Sequence, residues 1–184
     1  MNRAIFFDRD GTIAVNAHYC RRPEDFKLFP ETPGVIRDLN KHGFKVIIVT
    51  NQSGIGRGYF DKATLEKIHE KMKTDLAREG ARIDGIYYCP HHPDENCSCR
   101  KPKPALILQA AADCDIDLKN SFVVGDLPKD VDLGKAAGCH TILISRPDAD
   151  SDESSVPDAT VASISNIPDT VLKWPERSKN RAKN

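Results

Sequence analysis

The chain has 184 residues, with 27 Lys+Arg against 27 Asp+Glu and a formal net charge of zero. That length supports one domain with a sizeable core, and neutrality removes any global attraction to nucleic acid or to an anionic membrane. No apolar run approaches the ~20 residues of a membrane helix and no signal-peptide layout precedes the first apolar run, so a cytoplasmic protein without membrane or nucleic-acid partners is expected.

The first predicted element is "AIFF" (4–7), an apolar run that leads straight into Asp8 and Asp10. "TPGVIRDLNKHG" (32–43) reads as a helix, with Pro33 near its start and Gly43 as its stop. "KVIIVT" (45–50) is a second buried strand and is followed by Asn51-Gln52-Ser53. Residues 61–79 form the next helix: Asp61 is its N-cap, and Leu65, Ile68, Met72 and Leu76 share one apolar face. "IDGIYYC" (83–89) is a weaker strand, "PALILQAAADC" (104–114) a helix, and "SFVVGD" (121–126) a strand ending in an acid. "DVDLGKAAG" (130–138) is a helix closed by Gly138, and "TILIS" (141–145) a last strand. Residues 146–160 read as a surface loop. The segment 173–184 is polar and basic and reads as a flexible tail after a domain spanning 1–172.

Strand runs without polar alternation are buried on both faces, and alternation with helices implies a parallel sheet between two helical layers. The expected fold is therefore α/β, a three-layer Rossmann-like sheet. In such sheets ligands bind beyond the carboxyl ends of the strands. Here those ends carry Asp8 and Asp10, Thr50 to Ser53, and Gly125-Asp126. Carboxylates crowded in this way suit a hard cation: Mg²⁺ binds one or two carboxylates together with substrate phosphate and water, and Asp8 and Asp126 offer them. The two-residue spacing lets one of Asp8 and Asp10 act as nucleophile and metal ligand while the other serves as general acid. Phosphoryl transfer also needs its charge neutralised. The Thr50 hydroxyl, the glycine-rich "SGIGRG" (53–58) and the cations of "CRKPKP" (99–104) are suited to that.

Six cysteines in a chain of this type divide into a metal cluster and reduced thiols. "CPHHPDENCSC" (89–99) contains Cys89, Cys97 and Cys99 with one His, a Cys₃His zinc set with no open position and hence structural. His91 is preferred over His92 because Cys-x-His mirrors the Cys-x-Cys arm. A disulfide among the three thiols, or free thiols, is the alternative. A zinc-fixed loop over 89–101 would hold Arg100 and Lys101 rigidly at the phosphate crevice.

With DRDGT (8–12), TNQSGIGRG (50–58), CRKPKP (99–104) and GDLPKD (125–130) in order, the chain resembles the haloacid dehalogenase-like (HAD-like) phosphatases. "TNQSGIGRG" and "DGIYYCPHHP" (84–93) resemble the zinc-loop subfamily that acts on D-glycero-D-manno-heptose 1,7-bisphosphate. The resemblance covers roughly residues 3 to 146. It implies Asp8 as nucleophile and Asp10 as acid and then base. It implies Mg²⁺ on Asp8, the Asp10 carbonyl and Asp126, with Asp130 as support, and Zn²⁺ on Cys89, His91, Cys97 and Cys99. Thr50 and Lys101 would stabilise the phosphoryl group, with Arg100 beside them for substrate. Asn16, Ala17, His18, Tyr19 and Thr50, Asn51, Gln52, Ser53 would line the substrate site.

The implied reaction removes the C7 phosphate through an aspartyl phosphate, giving heptose 1-phosphate for ADP- or GDP-heptose and lipopolysaccharide or surface-glycan synthesis. Two departures stand out. Leu127 occupies a position that is lysine in some members, with Lys129 a possible replacement, and the span from His91 to Cys97 is short. The short span also occurs in histidinol-phosphate phosphatases, which are the alternative reading. A phospho-accepting signalling domain and a non-catalytic zinc module are further rivals. Without a large cap domain, an open site suits a monomer.

Overall fold

The computed structural model describes residues 1–145 and 155–175. Six strands form one parallel sheet in the order β3-β2-β1-β4-β5-β6: β1 is Ala4–Phe7, β2 Lys45–Asn51, β3 Gly85–Cys89, β4 Phe122–Gly125, β5 His140–Ile144 and β6 Ala159–Val161. The helices are α1 (Thr32–Lys41), α2 (Lys62–Arg78), α3 (Ala105–Cys114), α4 (Pro128–Ala137) and α5 (Ile167–Leu172).

Alternation along the central strands divides the core into two layers. Ile5 and Phe7 of β1, with Val46 and Ile48 of β2, face Val35, Ile36 and Leu39 of α1, Ile68, Met72 and Leu76 of α2, and Ile167 and Val171 of α5. Ala4, Phe6, Ile47 and Val49 face Leu106, Ile107 and Ala110 of α3 and Leu133 and Ala137 of α4. Each strand is apolar on both faces because each face has a helical layer to meet. The expected three-layer α/β architecture is present.

Asp61 caps α2 as expected, its carboxylate accepting from the Thr64 N–H at 2.8 Å. Gly138 closes α4 at φ 77°. Three local readings change. α4 begins at Pro128 rather than 130, since proline lacks an N–H that would be unpaired there. A sixth strand and a fifth helix lie in a stretch with no apolar run to announce them. Trp174, placed by sequence in the polar tail, packs edge-on against Phe122 with ring centroids 5.2 Å apart and lies 5.0 Å from the His140 ring. The ordered core therefore continues past residue 172. Most of the expected 146–160 loop, and the tail from 176 on, lie outside the described residues. No helix among the described residues is long and apolar enough to cross a membrane.

The order of the sheet sets the position of the site. β1 leads through β2 to β3 on one side, and the chain then returns to place β4 on the other side of β1. The crevice at such a switch point opens between the carboxyl ends of β1 and β4. The Asp8 N–H donates to the Val124 carbonyl at 3.0 Å and ties those two ends together.

Candidate active site

The segments after β1, β2 and β4 and the residues following the cysteine loop converge on one cavity of about 240 Å³. Asp8, Asp10, Thr50, Asn51, Gln52, Ser53, Arg100 and Lys101 line it, together with Asn16, His18 and Tyr19. Ala17 borders an adjoining groove that shares His18 and Tyr19 with this cavity. Arg9, Leu127 and Lys129 complete the wall.

At the floor, Asp8, Asp126 and Asp130 each place a carboxylate oxygen within 4.8 Å of the others. Lys101 reaches this group with a fully buried side chain, its Nζ 2.8 Å from Asp8 Oδ1, 2.7 Å from Asp130 Oδ1 and 3.1 Å from the Val49 carbonyl. Burial works against the ammonium, but the Asp130 and Asp8 carboxylates outweigh it and hold the Lys101 pKa above its usual range. Burial pushes the Asp130 carboxyl up to about 6 against the pull of Lys101, with the charge of Asp8 adding to the rise. Lys101 pairs with two of these three carboxylates, and the three acids together are a donor set that fits a divalent cation. Asp126 also accepts from the Thr12 hydroxyl at 3.0 Å. Gly11 has φ 89°, and a Cβ there would collide with the Asp126 carboxylate, so the turn of "DGT" requires glycine for both reasons.

Asp130 does double duty. One oxygen meets Lys101, and the other accepts from the Leu127 N–H at 3.3 Å, closing the start of α4. Beside this group Arg100 lines the cavity, and its buried Nη1 has no hydrogen-bond partner among the described residues. A buried guanidinium N–H without an acceptor is costly and suits an anionic ligand oxygen.

The cysteine loop supplies Arg100 and Lys101 from a rigid base. Cys89 Sγ lies 3.4 Å from Cys97 Sγ, Cys97 and Cys99 are 3.6 Å apart, and His91 Nδ1 is 3.2 Å from Cys99 and 3.6 Å from Cys89. A disulfide needs ~2.05 Å, so none is formed among them. Tetrahedral zinc with ~2.3 Å sulfur and ~2.0 Å nitrogen bonds places its ligands roughly 3.5–3.8 Å apart; two of the observed edges, at 3.6 Å, fall in that range and the other two, at 3.2 and 3.4 Å, lie just below it. Burial pushes the Cys89 thiol up to about 12, so a cation is needed to hold it as thiolate at neutral pH. His92 turns away from the cluster and caps the short helical turn Pro93–Glu95, its Nδ1 accepting from the Asp94 N–H at 3.3 Å.

Two contacts fix the loop against β2 and the glycine-rich loop that follows it. Asn51 brackets the Lys101 backbone, accepting from its N–H at 3.1 Å and donating to its carbonyl at 3.4 Å. The Gly56 N–H donates to the Pro90 carbonyl at 2.9 Å, and a Cβ on Gly56 would collide with the His92 backbone. The glycine-rich loop and the cysteine loop are thus in backbone contact.

A family model, two sequence relatives and two solved structures bear on the site. A family model of HAD-hydrolase-like proteins matches residues 98–167. A Helicobacter pylori D-glycero-beta-D-manno-heptose-1,7-bisphosphate 7-phosphatase is 43% identical over 72% of this chain and 77% of its own length. A Haemophilus influenzae protein of the same name is 42% identical over 74% of this chain and 78% of its length. The chain belongs to this family of HAD-like phosphatases. Among solved structures, D,D-heptose 1,7-bisphosphate phosphatase from B. bronchiseptica, complexed with magnesium and phosphate, superposes with a TM-score of 0.84 at 32% identity over 92% of this chain and 98% of that one. The corresponding enzyme from Burkholderia thailandensis gives 0.69 at 28% identity, covering 94% of this chain and 99% of that one. As a family member the chain is a phosphoric monoester hydrolase.

Sequence reasoning named most of the cavity wall but assigned nothing to Arg9, whose side chain is only 1% exposed, or to His69, which α2 brings against it. A lone cation between two acids reads as solvated surface; the clue is that it follows four buried residues directly.

Proposed function

We propose that the protein hydrolyses the C7 phosphate of D-glycero-β-D-manno-heptose 1,7-bisphosphate, with Asp8 as nucleophile and Asp10 as general acid and then base. The observation that carries the substrate is the identity of over 40% across more than three-quarters of relatives named for that reaction. The carboxylate group at the floor supports the chemistry.

Asp8, Asp126 and the Asp10 carbonyl would hold Mg²⁺. When bound, the ion neutralises phosphoryl charge and offsets the repulsion among the acids. Lys101 orients Asp8 through its 2.8 Å contact and adds positive charge where the phosphoryl oxygens gather. Thr50 offers its hydroxyl to the same group, and Arg100 Nη1 has its donor free for a substrate oxygen. Asp8 attacks phosphorus, and the ester P–O bond breaks as Asp10 gives its proton to the departing sugar oxygen. Asp10, now a carboxylate, takes a proton from the water that attacks the aspartyl phosphate, releasing phosphate and restoring Asp8.

Cys89, His91, Cys97 and Cys99 would hold Zn²⁺ in a closed structural site that positions Arg100 and Lys101. Product heptose 1-phosphate would feed nucleotide-heptose synthesis for lipopolysaccharide or a surface glycan, and histidinol phosphate is the competing substrate.

Phosphate release with Mg²⁺ from the β and α anomers of the bisphosphate and from histidinol phosphate, run side by side, tests the assignment. A kcat/KM preference for the β anomer of ~100-fold or more, about 2.7 kcal/mol of discrimination, is expected. A preference for histidinol phosphate overturns the substrate while leaving the catalytic groups in place.

A further inference from the structure

Arg9 lies between the nucleophile and the acid in sequence, yet its side chain is among the largest that are fully buried. A buried guanidinium must be paired and hydrogen-bonded. Its Nε lies 3.1 Å from both oxygens of Asp10, and its Nη2 lies 2.7 Å from Oδ2. Among the described residues, Asp10 is the carboxylate within ion-pair distance of it.

Both terminal nitrogens of Arg9 have a further partner. Nη2 donates to Gln52 Oε1 at 3.0 Å, and Nη1 lies 3.4 Å from His69 Nε2. A guanidinium has no acceptor, so Gln52 must turn its oxygen, and His69 its bare nitrogen, toward Arg9. This fixes the Gln52 amide, whose Nε2 then donates to Asp10 Oδ2 at 2.9 Å and to Thr50 Oγ1 at 3.0 Å. The Asp10 side chain is 26% exposed, so it faces the cavity from one side and meets this clamp on the other.

We propose that Arg9 is a positioning residue for the general acid: its buried fork, braced by Gln52 from the end of β2 and His69 from α2, fixes the orientation in which Asp10 faces the departing oxygen. This rests on the reading of Asp10 as the acid. Arg9 lies at the cavity wall, but its side chain is only 1% exposed and its donors are directed to Asp10, Gln52 and His69. It acts through Asp10, and the carboxylate formed by proton donation finds three donors already in place. A lysine in its position would keep the charge but lose the planar two-point grip.

A structural cation and a positioning cation differ in how the rate depends on the leaving group. Proton donation matters for a sugar alkoxide and little for nitrophenolate, which leaves without it. The experiment compares kcat/KM, which reports the phosphorylation step, for the heptose bisphosphate and for p-nitrophenyl phosphate. It uses wild type, Arg9→Met, Arg9→Lys and Asp10→Asn with Mg²⁺ present.

Misplacing a catalytic group costs up to ~10²-fold. Arg9→Met is therefore expected to lose roughly 10–100-fold on the sugar ester and under about threefold on the nitrophenyl ester. Arg9→Lys should show the same selectivity at smaller amplitude, and it carries the test alone if Arg9→Met does not fold. Equal losses on both substrates, or none on the sugar ester, overturn the positioning role. If Asp10→Asn itself shows no leaving-group dependence, the reading of Asp10 as acid fails instead. If Asp10→Asn shows it and the Arg9 variants do not, only the inference about Arg9 fails.

Discussion

Lys101 Nζ is shared between Asp8 and Asp130, 2.8 Å from one carboxylate and 2.7 Å from the other. One cation thus links the proposed nucleophile to the cap of α4, and it is delivered by the residue two positions after the last cysteine of the proposed zinc cluster. Lys101→Met would leave two buried carboxylates facing each other without their ammonium. We expect kcat to fall ~10²–10³-fold, the usual cost of removing one charge-stabilising donor. Steady-state kinetics check this, and a change confined to KM would contradict it.

Removing the proposed zinc should act at a distance. With the four ligands released, the backbone over 89–101 loses its brace, and Arg100 and Lys101 lose their fixed positions. Hydrogen exchange should rise across 89–101, and turnover should fall with Mg²⁺ still supplied. Full activity after verified zinc loss would break the proposed coupling between the two metal sites.

Gly56 and Gly34 should respond in opposite ways to alanine. At Gly56 the added methyl meets the His92 backbone, whereas at Gly34, inside α1, nothing lies within 4 Å of it. Gly34→Ala should stabilise by about 0.5–1 kcal/mol through helix propensity and chain entropy, and Gly56→Ala should destabilise by about 1–3 kcal/mol through overpacking. Denaturant unfolding of both variants decides this; a gain at Gly56 would mean that the two loops are not in close contact.

His69 makes stability depend on pH. Burial, then the nearby charges of Arg9 and Lys73, lower its pKa from 6.5 to about 3. The unfolded chain therefore binds this proton more readily than the folded one. The stabilisation is complete above about pH 6.5 and is lost as pH falls toward 3, at up to ~1.4 kcal/mol per pH unit. His69→Gln keeps an acceptor for Arg9 without the titration. From pH 7 to pH 5, wild type should lose up to about 2 kcal/mol relative to His69→Gln. An unchanged gap would show that His69 does not resist protonation.

The strand ends were legible because each apolar run stops at a polar residue with nothing else to explain it: Phe7 into Asp8, Val49 into Thr50, Gly125 into Asp126. The cysteine cluster was legible because ligand spacing is local. What stayed hidden depends on tertiary contact. Ala159–Val161 has only three residues, none of them buried, and its pairing with β5 leaves no periodic trace. Trp174 sits in a polar stretch, and only the fold brings Phe122 and His140 to it. The burial of Arg9 is set by Gln52 and His69, which are 43 and 60 residues away.

The most direct test is turnover of the heptose bisphosphate by Asp8→Asn, with folding and metal content verified against wild type. The mechanism predicts no catalytic turnover from a protein that is otherwise intact, because the amide cannot form the acyl phosphate. Turnover near the wild-type rate would contradict Asp8 as nucleophile and the mechanism built on it.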